Sequence, residues 1–210
     1  MKVNSISLKQ HFPFHRADDL LSDTAQALGN FEILGQQKLA FFCSVRCPGS
    51  LIIQTYDFFQ ALHDKEIAII SGFHSPIEQE CLTILLRNQQ NIIICPARSL
   101  NKMRIRSAYR EPLNKGRLLF LSPFTETQKR PTIQISYERN RFVAALADIV
   151  LVSYAANLSK TEQLCQEIIT WQKPVYTFEH ESNQNLVSIG AKLLESNNLK
   201  LKEMAKFKNH

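Results

Sequence analysis

From Leu39 onward, short apolar runs alternate with longer stretches in which apolar residues recur every three to four positions. The short runs, Leu39 to Cys43, Ile67 to Ser71, Ile92 to Cys95, Leu118 to Leu121, Ile149 to Ser153 and Val175 to Phe178, are apolar on both faces. That is the pattern of parallel strands covered on both sides. The intervening stretches predict helices over Leu51 to His63, Ile77 to Asn88, Asn101 to Asn114, Tyr137 to Ala147, Lys160 to Gln172 and Asn185 to Glu195. A repeated strand-helix order of this kind predicts an α/β, Rossmann-like fold: a mostly parallel sheet with helices on both faces and right-handed crossovers.

The remaining segments divide the chain. Residues 1–38 hold one helical pattern, Ala17 to Leu28, with no matching strand, and form an expected N-terminal cap or extension to a core over 39–196. Residues 197–210 form a basic tail in which Lys200, Lys202, Lys206 and Lys208 outnumber Glu203. The one long loop expected is Ser122 to Pro131, rich in polar residues and holding two prolines.

Composition narrows the class. With 44% hydrophobic and 21% charged residues, the 210-residue chain suits one packed core. No apolar run approaches the ~20 residues of a membrane span, and the first eight residues lack the apolar stretch of a secretory signal, so a cytoplasmic location is expected. Five cysteines cannot all pair, and reduced thiols are expected. Cys43 and Cys47 have no second Cys/His pair at zinc-like spacing, so neither a metal site nor a cofactor is expected. The formal charge of +6 favours polyanionic partners.

In an open α/β sheet, ligands bind outside the carboxyl ends of the strands, which directs attention to the turns after them. After the first strand, Ser44 to Ser50 supplies a hydroxyl, the Arg46 guanidinium and a Gly-containing turn, suited to phosphate or to a plain chain reversal with Ser50 as N-cap. After the second, Ser71 and Gly72 lead through His74 to Ser75, Pro76 and Glu78, a capping-box helix start whose amides also suit an anion. Ser159, Lys160, Thr161 and Glu162 repeat that chemistry after the fifth strand. Between Arg98 and Arg117, seven cations including Arg104 face one acid, Glu111, and Tyr109 lies among them, a composition suited to phosphate contacts and base stacking. Arg139-Asn140-Arg141 leads an apolar helix body, and its two arginines require partners, either carboxylates such as Glu138 and Asp148 or ligand phosphates.

Arg46, Ser71-Gly72, Arg139-Asn140-Arg141 with the apolar run to Val152, and Asn185-Leu186 followed by Gly190-Ala191 together resemble the core of the DprA/Smf (DNA-processing protein A) family, from about Leu39 to Leu194. The resemblance implies an extended Rossmann fold that binds single-stranded DNA in a positive crevice, dimerises, and helps load a RecA-type recombinase, with no catalysed reaction. The chain departs from the family pattern in the loops, with Phe73, His74 and Ser75 after Gly72 and with Ser159-Lys160 in place of Ser-Gly. These departures keep open a second reading, a sensor of small nucleotides of the SLOG type. A LOG-like nucleoside-monophosphate hydrolase is a weaker alternative, because the Pro-Gly-Gly-x-Gly-Thr motif is missing. The candidate ligand-binding set is Ser44, Arg46, Ser71, Gly72, His74, Ser75, Arg98, Arg104, Arg139, Asn140, Arg141, Ser159 and Lys160.

Overall fold

The computed structural model describes residues 2–8, 23–62 and 66–194. It contains one nine-stranded sheet, in the order β1-β2-β6-β5-β4-β3-β7-β8-β9. The strands are β1 (Asn4–Ser7), β2 (Thr24–Gly29), β3 (Gln37–Cys43), β4 (Ile67–Ser71), β5 (Asn91–Ile94), β6 (Leu118–Ser122), β7 (Ile149–Tyr154), β8 (Val175–Thr177) and β9 (Lys192–Leu193). The helices are α1 (Gly49–Ala61), α2 (Pro76–Arg87), α3 (Arg110–Asn114), α4 (Ile133–Leu146), α5 (Lys160–Thr170) and α6 (Gln184–Ser188).

Strand alternation sorts the core into two layers. Leu39, Phe41 and Cys43 of β3 point to the side that buries Leu51 and Phe59 of α1 and Leu85 of α2. Ala40 and Phe42 point to the opposite side, with Phe142 and Leu146 of α4 and Leu164 and Ile168 of α5. Each strand from β3 to β7 is therefore covered twice, and the α/β, mostly parallel architecture expected from the apolar runs is the one found. The strands from β3 to β9 pair in parallel, whereas β1 and β2 join antiparallel at the β6 edge.

Four expected elements differ, one of them the helix over Tyr137 to Ala147, which starts at Ile133 where Thr132 caps it, so that Arg139-Asn140-Arg141 lies mid-helix. The helix over Ala17 to Leu28 is a strand over its described part, β2, paired from Gln26 opposite Ser122 to Gly29 opposite Leu119. Its alanines occupy one face, where small side chains let the sheet edge pack closely, and tertiary pairing overrides their helical propensity. The helix over Asn101 to Asn114 shrinks to a 3-10 turn at Ser107–Tyr109 and α3, because Lys102 takes a left-handed φ of 56° and breaks the run. The last helix stops at Ser188, where Gly190 at φ 109° turns the chain into β9 instead of continuing to Glu195. The basic tail lies outside the described residues.

The sheet reverses its winding at β3. The chain proceeds outward through β4, β5 and β6, then recrosses by residues 123–132 and α4 to lay β7 on the other side of β3. The chain leaving β3 therefore enters a helix on one face of the sheet, α1, and the chain leaving β7 a helix on the other, α5, both from the carboxyl edge.

Candidate functional site at the carboxyl edge of the sheet

The β3 and β7 loops meet across the switch point. Ser44 donates its backbone N–H to the Tyr154 carbonyl (2.9 Å), and its hydroxyl donates to Thr161 Oγ1 (3.1 Å) at the start of α5. Below them the buried hydroxyls of Thr55 and Ser153 bond to each other. On the other face Ser50 lies 2.9 Å from His180 Nε2 in the loop after β8. Because His180 Nδ1 accepts from the Ser182 amide, Nε2 of the neutral ring carries the proton and donates to Ser50. Ser50 is thus a bridge rather than the expected N-cap of α1, whose cap position is Pro48 with no side-chain bond.

The next group sits at the ends of β4 and β5. The capping box at α2 is complete, with Ser75 accepting from the Glu78 amide and Glu78 reaching back to the Ser75 amide. Glu78 does more than cap. Its buried carboxylate also accepts from His74 (2.7 Å) and from the Cys43 amide (3.2 Å), locking the β4 loop to the end of β3. Burial pushes this carboxyl above its ordinary pKa, against the opposing pull of Arg139 and the three backbone donors.

Arg139 lies over this assembly, 3% exposed. Its Nη1 donates to the Cys95 carbonyl (3.0 Å) and its Nε to Asn140 Oδ1 (2.7 Å). The guanidinium occupies the place a side chain at position 72 would take, since a Cβ built on Gly72 falls within it, 2.5 Å from Nε. Gly72 is therefore required by the arginine. Burial pulls the Arg139 pKa down, partly restored by Glu78, and burial raises that of the neighbouring Cys95 thiol to about 12. Ser71 closes the turn by accepting from the Phe73 amide, whose φ of 47° redirects the chain into the loop.

Arg141 takes a different course. It forms a two-point pair with Glu167 of α5 (2.6 and 2.7 Å), which also accepts from Tyr137, so neither Glu138 nor Asp148 is its partner. Asp148 instead binds the backbone and ammonium of Lys38. Lys160 is exposed, with its ammonium 5.9 Å from the Tyr137 ring centroid and donating to Gln163. At α5, Ser159 caps the Glu162 amide, but the Glu162 carboxylate accepts from Leu158 (2.6 Å) and Asn185 (2.5 Å) rather than closing a second box on Ser159.

Arg98 is half-buried and bonds the Ser99 carbonyl. Arg46, Lys102, Arg104, Arg106 and Arg110 are exposed, and none has an ion-pair partner among the described residues. Tyr109 is half-buried and packs edge-on against Phe120 at 5.6 Å, which fixes its ring against the sheet.

All five cysteines are free. Cys43 Sγ donates to the Ser44 carbonyl (3.4 Å) and Cys47 Sγ to the Pro48 carbonyl (3.7 Å), and the influence of each thiol on the other raises the pKa of the buried Cys43, with burial adding to it, and lowers that of the half-buried Cys47. The sequence pattern gave no sign of the His180 bridge, although the turn after β8 obeys the same carboxyl-end rule as the others. The reach of Glu78 to β3 was also hidden, because a capping box accounts for a glutamate at that position without any long-range bond.

The fold recurs in known structures. DNA processing protein A from Streptococcus pneumoniae superposes with a TM-score of 0.75 at 21% identity, over 100% of this chain and 76% of that one. The Helicobacter pylori protein, whose structure concerns its single-stranded DNA binding mode, gives 0.75 at 17%, over 100% and 98%. A molybdenum cofactor binding protein from Rippkaea orientalis shares the fold more distantly, with a TM-score of 0.57 at 10% identity over 83% and 98%. No curated protein matches the sequence. The family model for DNA recombination-mediator protein A matches residues 25–205, from β2 through the last described strand and beyond, and the chain belongs to that family.

Proposed function

We propose that this protein binds single-stranded DNA along the carboxyl edge of its sheet, in the manner of a recombination mediator. The observation that carries the reading is the set of exposed cations without ion-pair partners, Arg46 at the switch point and Lys102, Arg104, Arg106 and Arg110 in the β5 to β6 crossover. Five unneutralised cations on one chain suit a polyanion longer than one nucleotide. Glu78, through the Cys43 amide, and Arg139, through Gly72 and the Cys95 carbonyl, tie together the carboxyl ends of β3, β4 and β5 from which those loops leave.

A small-nucleotide site at the switch point is less well supported, because the Ser44 and Thr161 hydroxyls bond each other and Ser50 is engaged by His180. Family membership extends the proposal to a cytoplasmic homodimer that hands DNA to a RecA-type recombinase. Fluorescence anisotropy with a labelled oligothymidine, challenged by nucleoside monophosphates, tests the reading. Saturable binding resistant to monophosphates is expected, and competition at stoichiometric monophosphate would reverse the assignment. Sedimentation equilibrium tests the dimer.

A further inference from the structure

Among the described residues, the exposed large hydrophobic side chains are Val45, Ile53, Ile133, Leu158 and Leu193. Three of them lie at the carboxyl edge: Val45 in the β3 loop, Leu158 in the β7 loop and Ile133 in the first turn of α4. Leu158 and Ile133 are each 83% exposed and Val45 is 68% exposed. The β3 and β7 loops adjoin through the Ser44 to Thr161 bond, and the Lys160 contact with Tyr137 brings the β7 loop against α4, one turn from Ile133.

Each apolar residue has a cation close by in sequence: Val45 beside Arg46, Leu158 two before Lys160, and Ile133 three after Arg130. Leu158 also holds a left-handed φ of 58°, a conformation unfavourable for a branched side chain, and its amide is fixed there by Glu162. Its side chain contributes little to the core it leaves exposed, so stability alone favours Asn or Gly at this position.

Resting on the DNA-binding reading, we infer that Val45, Leu158 and Ile133 form an apolar track that receives the unstacked bases of the strand, while Arg46, Lys160 and Arg130 meet its phosphates. Single-stranded DNA presents this alternation of apolar faces and regularly spaced anions, and duplex DNA keeps its base faces stacked inside. The track therefore selects single strands by their bases, in addition to their charge.

The test compares a labelled oligothymidine with an abasic oligomer of the same phosphate count, using the full chain and its Val45→Ser, Ile133→Ser and Leu158→Asn variants. Each variant is expected to weaken oligothymidine binding by roughly three- to tenfold, from the loss of a partly buried apolar contact. Abasic binding and the salt slope are expected to stay unchanged. Leu158→Asn is further expected to melt no lower than the parent, since Asn tolerates the left-handed backbone, so a binding loss there is separated from misfolding. Equal affinity of the parent for the two oligomers, or variants that bind oligothymidine like the parent, would overturn the track while leaving DNA binding in place. Failure of the parent to bind either oligomer would overturn both readings.

Discussion

Gly72→Ala probes the packing of Arg139 most sharply. A methyl group at position 72 would overlap the guanidinium, at 2.5 Å from Nε and closer still to Nη1 and Cζ. To regain van der Waals separation the group must retreat by more than about 1 Å. Arg139 has little room to do so, being 3% exposed, and retreat breaks the 3.0 Å bond to the Cys95 carbonyl. A hydrogen bond from a charged donor contributes about 1.5–3 kcal/mol, and the smaller unfolded-state entropy of Ala offsets about 0.4–1 kcal/mol. The net cost is about 1.5 kcal/mol, which for a chain of this size lowers Tm by about 3–6 °C. Differential scanning calorimetry measures it, and the same substitution in an Arg139→Ala background, where the space is vacant, should cost under about 0.5 kcal/mol. A Gly72→Ala variant that melts with the parent, or one that costs equally in both backgrounds, refutes the role given to Arg139.

Other expectations follow from the same geometry. Glu78→Gln turns one of two acceptor atoms into a donor facing backbone N–H groups, and should destabilise by about 2–4 kcal/mol in urea titration. Because burial raises the folded-state pKa of Glu78, its contribution in the parent is fully present below the ordinary carboxyl range and declines as pH rises through the folded value. The stability gap between parent and Glu78→Gln should narrow in that direction. Lys173 donates to the carbonyls of Ala144, Ala145 and Ala147 at the end of α4 (2.6 to 2.7 Å), so Lys173→Met should cost about 2–3 kcal/mol, read by thermal melting. Of the five thiols, Cys47 combines partial exposure with a lowered pKa, and a maleimide should label it first in the native chain, with Cys47→Ser removing that fast phase.

The parallel core was legible because buried strands are apolar on both faces: Ile67 to Ser71 coincides with β4, and the other core strands fall within a residue or two at either end. The antiparallel edge was not. Ala25, Gln26, Ala27 and Leu28 all have high helical propensity, and only pairing to β6 and β1 makes Thr24–Gly29 a strand. Arg139-Asn140-Arg141, which lies in the middle of α4, correctly announced arginines in need of partners, yet apart from the Asn140 side chain those partners are distant in sequence. Arg139 found a carbonyl 44 residues away and Arg141 a carboxylate 26 residues away, contacts set by the crossover and invisible to local spacing. The helix expected over Asn101 to Asn114 would carry most of the Arg98 to Arg117 cations, but the exposed Lys102, Arg104 and Arg106 lie on a non-helical segment because Lys102 takes a left-handed φ of 56°.

Under the proposed function, unpaired cations at the carboxyl edge and in the β5 to β6 crossover hold the phosphates of a single strand. Anisotropy titrations of a labelled oligothymidine across a salt series, with the parent and with Arg46→Ala and Arg104→Ala, test it most directly. Both side chains are exposed and lack ion-pair partners among the described residues, so folding should be unaffected. The logarithm of the affinity is expected to fall linearly with the logarithm of the salt concentration, with each substitution reducing the slope by about 0.7. A parent that does not bind at low salt, or variants with the parent's slope, would contradict it.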